Sequence, residues 1–333
     1  MESEVKKYRA FGMKISSEIR IPELEDSNHD ESDVYVESGF LSNPISSNKK
    51  YASKTKNYCD GFLCYINGIG GVRICNERKI IVSPCEGAED KGFRFLVSGI
   101  ALGLLLHLRG FVTLHASAVA IQQQAISFIG QKGMGKSTTA AALHTRGHPI
   151  VTDDLLVLDI TNDSVQVYPG FPHLKLTPES IIKSVNQDPD HVPKIDPKGP
   201  KHSFTAEKDF LDEPLPLRGI YVLDYHKDQR TDNGSSAPLS EAITGNDACI
   251  ELVRNSYVAR LLPQEAISPH HLKRSAEIAQ SVPVRRLYRE KSLENLSSLA
   301  TFIEQEQASG ANGRSSEAPT GSQKLDRPDK DAL

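Results

Sequence analysis

Residues Gly130-Gln-Lys-Gly-Met-Gly-Lys-Ser137 form a complete G-x-x-x-x-G-K-[ST] phosphate loop, and that motif fixes its surroundings: a buried strand must deliver it and a helix must leave it. Both are written in the sequence. Ala125-Ile-Ser-Phe-Ile129 is a short apolar run of strand type, and Thr138 to Arg146 reads as a helix. Gly130, Gly133 and Gly135 let successive N–H groups converge on phosphate oxygens, and the following helix adds the positive end of its dipole. Lys136 is expected to reach the β- and γ-phosphates, Ser137 to hold Mg²⁺, and Gln131, Lys132, Met134 and Thr138 to complete the nucleotide contacts. A nucleotide with Mg²⁺, in an α/β fold, is therefore expected.

At 333 residues the chain has room for a large core, and its net charge of −4 argues against a nucleic-acid surface. Its most apolar run, Phe95 to Leu108, is too short to span a bilayer and reads as a buried helix. The five cysteines form no C-x-x-C pair and follow no apolar leader, which suggests a reducing, cytoplasmic setting; Cys59 and Cys64 have no second pair to complete a zinc site.

Upstream, Tyr8 to Leu24 and Val34-Tyr-Val36 read as strands, Glu37 to Lys56 as a polar loop, and Gly61–Ile66, Gly71–Cys75 and Lys79–Ser83 as a β-meander. Residues 1–90 are thus expected to be a mainly β region, 91–306 the phosphate-loop domain, and 307–333 a disordered tail poor in apolar side chains. Within the second region, His148 to Asp154 is a strand ending in two acids. Leu155–Ile160 and Val165–Tyr168 form a hairpin, and residues 187–213 a long mobile loop. Leu217–Asp224 is a buried strand, Ile250 to Leu262 and His270 to Ala279 are helices, Val282–Tyr288 is the last strand and Leu293 to Gln305 the last helix.

Asp153 and Asp154 are well placed to serve phosphates on the neighbouring loop, as metal ligand or as base; Asp154 is the first choice for base, Asp153 the second. The order of His115, phosphate loop, Arg146-Gly-His148 and Asp153-Asp154 resembles the C-terminal kinase domain of bacterial HPr kinase/phosphorylase and its PEP-carboxykinase-like relatives. Tyr8-Arg-Ala-Phe-Gly12, Gly103 to Gly110 and Val282-Pro-Val284 are similar to a subgroup of HPr-kinase-like proteins encoded with lasso-peptide pathways, which phosphorylate a serine on a precursor peptide.

The resemblance implies a phosphate-loop kinase core with a smaller β region, and His115, Lys136, Asp153 and Asp154 as catalytic residues. It implies that the nucleotide is ATP, with Ser137 and Asp154 at the metal and a peptide or small-protein serine as substrate. Two departures bear on activity. Val167 to Pro172 carries no acid where the family keeps a metal-side glutamate, and Val282-Pro-Val-Arg-Arg-Leu lacks the family's Gly-Arg-Asn. A kinase without the reverse phosphorylase reaction, and without HPr as substrate, is therefore expected. Lys201, Lys175 and Arg254 are candidates for a cation at the moving phosphoryl. A small-molecule kinase and a nucleotide-binding regulator without turnover are the alternatives. The strand edges of the meander suit either a docked peptide or a homo-oligomer contact.

Overall fold

The computed structural model describes residues 5–162, 164–195, 199–206, 211, 213–226, 237–262 and 269–312. Eight strands precede the first helix: β1 (Lys6–Ala10), β2 (Met13–Ser17), β3 (Glu25–Asp26), β4 (Val34–Ser38), β5 (Ser53–Tyr58), β6 (Gly61–Ile66), β7 (Gly70–Cys75) and β8 (Lys79–Pro84). They make one sheet in the order β3-β1-β2-β4-β8-β7-β6-β5. β6, β7 and β8 pair antiparallel as the meander predicts. The polar stretch 37–56 is not wholly loop: β4 runs into it, and its far end begins β5, an edge strand paired with β6 whose side chains are mostly exposed. An exposed edge needs only the ladder bonds of one neighbour, so it carries no apolar alternation for the sequence to display.

A long helical segment then leaves the sheet as α1 (Asp90–Phe95), continues through a π-helical turn over Leu96–Ala101, and ends as α2 (Leu102–Leu108). The π-helical turn is buried throughout. Its side chains close a core against Ile15, Val34, Ile74 and Ile80 of the sheet and against Leu155 and Val157 beyond the phosphate loop. Each of those fully buried aliphatic chains is worth about 1.5–3 kcal/mol of transfer free energy. That common core ties the β region to the second sheet.

The second sheet contains β9 (Val112–Leu114), β10 (Ser117–Ile121), β11 (Gln124–Ile129), β12 (Ile150–Thr152), β13 (Leu156–Thr161), β14 (Ser164–Tyr168), β17 (Leu215–Tyr225), β18 (Leu239–Ile243) and β19 (Val284–Arg289). β15 (His173–Leu176) and β16 (His202–Thr205) pair separately, antiparallel. β16 lies inside the stretch expected to be a mobile loop. Its partner is some thirty residues upstream, so no local hairpin signal announces it.

β11 and β19 both flank β17 in parallel, and their carboxyl ends come out on the same edge. In open parallel arrangements ligands bind outside those ends. On one face lie α3 (Lys136–His144) and α7 (Leu296–Asn312), sharing a core with Phe128, Tyr221 and Leu287. On the other lie α5 (Gly245–Arg254) and α6 (Pro269–Ser281), through Ala248, Leu252 and Ile278. The short α4 (Pro178–Ser180) leads into a second π-helical turn at Ile181–Val185. The helix expected over 250–262 begins and ends earlier, as α5, and α7 runs past residue 307 into the stretch expected to be disordered; 313–333 lie outside the described residues. Among the described residues no helix is long and apolar enough to cross a membrane.

Arg146 and His148 prove to be a clasp. Both hold Glu304 on α7, Arg146 through two bonds of 2.9 and 2.7 Å and His148 through one of 2.9 Å. The Arg146 bonds, outweighing burial and helped by His148, bring the Glu304 carboxyl down to about 2. Because the folded-state value is depressed, the stabilisation is complete above the unfolded carboxyl's value near 4.3 and is lost as pH falls toward 2. Glu304→Gln is expected to lower the melting temperature at pH 7 by roughly 2–4 °C, with the gap to wild type closing as pH drops below about 4. Calorimetric melts across that range check it.

Candidate active site

The loop leaves β11 with Gly130, Gly133 and Gly135 all at positive φ (140°, 91° and 85°). The glycine at 135 also has a steric reason, since a Cβ there would collide with the Arg289 guanidinium. Gly135 is the N-cap of α3 and offers no side-chain cap, so the first N–H groups of that helix open onto a cavity of about 630 Å³. That is a volume suited to a nucleotide. Lys132, Gly133, Gly135, Lys136, Ser137 and Thr138 line it. The carbonyls of Gly130, Gln131 and Met134 brace the loop from within. Lys136 Nζ donates to the carbonyls of Gly130 and Gln131 at 2.8 and 3.3 Å, and Arg289 Nη2 donates to that of Met134 at 2.6 Å.

Asp153 and Asp154 stand at a tight turn in which the Leu155 N–H donates to the Asp153 carbonyl and Asp154 has φ of 67°. This is a γ-turn of the rare positive-φ type, a strained backbone held by its surroundings. It sends the neighbouring carboxylates to different partners. Asp153, 2% exposed, accepts from Ser117 Oγ (2.6 Å), Ser137 Oγ (2.9 Å) and the Lys175 N–H (2.9 Å). Burial, then the charge of Asp154, pushes its carboxyl up, and those three bonds only partly offset the shift. Asp154 forms an ion pair with Lys175 Nζ at 2.6 Å, and its Oδ1 lies 3.9 Å from His115 Nδ1. Burial would raise its carboxyl too, but Lys175, then His115 and Lys201, hold it down at about 2. These neighbours favour the carboxylate form of Asp154.

Of the residues expected at the metal, Ser137 donates its hydroxyl to Asp153 and Asp154 turns to Lys175, while Ser137 and Asp154 both line the cavity. The γ-turn is the reason, because it turns consecutive side chains apart. A hydroxyl and a buried carboxylate sharing one oxygen-rich corner suit a hard cation such as Mg²⁺, which takes one or two protein oxygens and completes its shell with phosphate and water. Among the described residues there is no group of three or more His, Cys, Asp or Glu that could hold a metal.

His115, at the end of β9, lines the cavity, its Nδ1 3.1 Å from the Asp154 carbonyl and its N–H bonded to the Asn255 carbonyl. Of the three cation candidates, Lys175 and Lys201 line the cavity, while Arg254, 69% exposed and beside Glu251, does not. Three contributors have no local sequence signal. Asn255, just past α5, accepts the Gly130 N–H at 3.0 Å. Tyr225, ending β17, donates to the Gly133 carbonyl at 3.1 Å. Arg289, ending β19, lies over the Tyr225 ring and lines the cavity. The parallel pairing of β11, β17 and β19 brings loop, tyrosine and arginine together.

No protein-family model matches this sequence, and no curated protein matches it. Among solved structures, the chain is similar to the HPr(Ser) kinase/phosphatase from Coxiella burnetii, with 14% identity over 60% of this chain and 98% of that one and a TM-score of 0.34. The likeness is weak and adds nothing to the geometry of the site.

Proposed function

We propose that this protein is an ATP- and Mg²⁺-dependent kinase that phosphorylates a serine hydroxyl on a peptide or small protein. The observation that carries the reading is the division of labour between adjacent acids: Asp153 on the Ser137 side, Asp154 ionised beside Lys175 and facing the same cavity as the phosphate loop. Ser137 and Asp153 would hold Mg²⁺, which when bound neutralises phosphate charge. Phosphoryl transfer asks the chain mainly for positioning and charge. Loop and helix N–H groups hold the phosphates, and Lys136 exchanges its carbonyl partners for phosphate oxygens. The acceptor oxygen forms its bond to the γ-phosphorus as the bond to the β-γ bridging oxygen breaks, giving ADP, and the hydroxyl proton passes to the Asp154 carboxylate. Lys175 stands beside that carboxylate as a cation for the moving phosphoryl.

The test is incubation of the full chain with γ-labelled ATP, Mg²⁺ and serine-containing peptides. Absence of label on every serine, with nucleotide bound, would leave a binding protein without turnover. Asp153→Asn is expected to keep nucleotide affinity in EDTA and to lose the gain that Mg²⁺ gives wild type, measured by calorimetry with and without the ion. An equal Mg²⁺ effect in the variant would move the metal off Asp153.

A further inference from the structure

A second cavity, of about 230 Å³, lies on the other side of the Asp154–Lys175 pair, and these two residues line both cavities. We propose that it is the acceptor subsite and that it takes the substrate serine together with an apolar neighbour. This rests on the kinase reading and deepens it. The position follows from the shared wall: a group seated here lies beside Asp154 and Lys175, which also face the phosphate-loop cavity.

The size and lining give the chemistry. The volume is below that of a cofactor site and fits one or two residues' worth of atoms, not the surface of a folded domain. Phe95, Leu155, Phe171 and Ile195 make much of its wall apolar. At its edge Arg94 is held between two carboxylates, with its Nε 3.5 Å from Asp90 Oδ2 and 3.6 Å from Glu23 Oε1, so the polar groups there are already engaged with one another. The π-helical turn supplies Ser98 and Gly99 to the wall, and such turns recur at functional sites.

Two panels test the inference with the full chain, γ-labelled ATP and Mg²⁺. One contains N-acetylated serine peptide amides with the neighbours of the serine varied; the other contains alcohols without an amide, such as 3-phenylpropanol and glycerol. Peptides with Leu or Phe beside the serine are expected to exceed those with Asp by at least tenfold in kcat/KM, and the simple alcohols to remain unlabelled. Ser203→Phe, filling the cavity from β16, and Ile195→Lys, charging its wall, should each raise KM for the best peptide by at least tenfold while leaving the Kd of a non-hydrolysable ATP analogue unchanged. Both positions are half-buried, so neither change threatens the core. Equal labelling of simple alcohols, a preference for charged neighbours, or an unmoved KM in both variants would overturn the acceptor subsite and leave the kinase reading standing. Nucleotide binding with no label in either panel would overturn both.

Discussion

Lys136→Met is expected to lower the rate of phosphoryl transfer by about 10³-fold, the scale of losing a preorganised charge aimed at the transition state. Lys136 is nearly buried, and its ammonium is held over the loop by the Gly130 and Gln131 carbonyls. The cation is therefore in position before nucleotide arrives and costs little reorganisation when phosphate displaces the carbonyls. Methionine keeps the length of the stem and removes the charge, so α3 and its packing should survive. Single-turnover transfer from γ-labelled ATP measures the loss, and a melt distinguishes it from unfolding. A fall of less than about tenfold would mean that Arg289 or Lys175 carries the phosphoryl charge instead.

Asp154→Asn is expected to cost about 10²–10⁴-fold in kcat, the contribution of a positioned proton acceptor, with nucleotide affinity almost unchanged. An amide cannot take the hydroxyl proton, and it releases Lys175 from its ion pair. The pH dependence has a definite sign. With Asp154 held at about 2, its carboxylate form is complete throughout the neutral range, so no acid limb near pH 4–6 should belong to it. Its contribution to stability is present above the unfolded carboxyl's value near 3.9 and is lost as pH falls toward 2. Asp153 has the opposite sign: burial raises it, so its ionisation weakens the fold as pH rises past the unfolded value. If Asp154→Asn turned over normally while Asp153→Asn was inert in transfer, the two roles would be exchanged.

Much of this was readable from the chain because local pattern and tertiary role agree there. The phosphate loop is flanked by the expected strand and helix, and the hairpin expected of Leu155–Ile160 with Val165–Tyr168 is the antiparallel β13–β14 pair. The division between Asp153 and Asp154 was not readable. It depends on a strained backbone turn and on the main-chain N–H of Lys175, and neither has a side-chain signature. Asn255 and Arg289 reach the loop across 125 and 155 residues of sequence, the first from the end of α5 and the second through strand order. The Arg146-Gly-His148 tripeptide was read as part of a kinase signature, and the structure assigns it to holding α7. Strand β5 was hidden because an exposed edge needs no apolar alternation.

The π-helical turn at Leu96–Ala101 also sets a phase. An α-helix advances about 100° per residue, so a segment with one residue more or fewer presents everything before it at a different angle. Phe95, whose ring lies 3.8 Å under the Lys175 ammonium, stands at the start of that turn, and the whole β region is attached upstream of it. Deleting a single residue between 96 and 101 would turn Phe95 and the sheet behind it about a quarter of a revolution away from the Asp154–Lys175 wall. The turn thus acts as an angular shim: its length, more than the identity of its side chains, indexes one half of the molecule against the chemistry of the other.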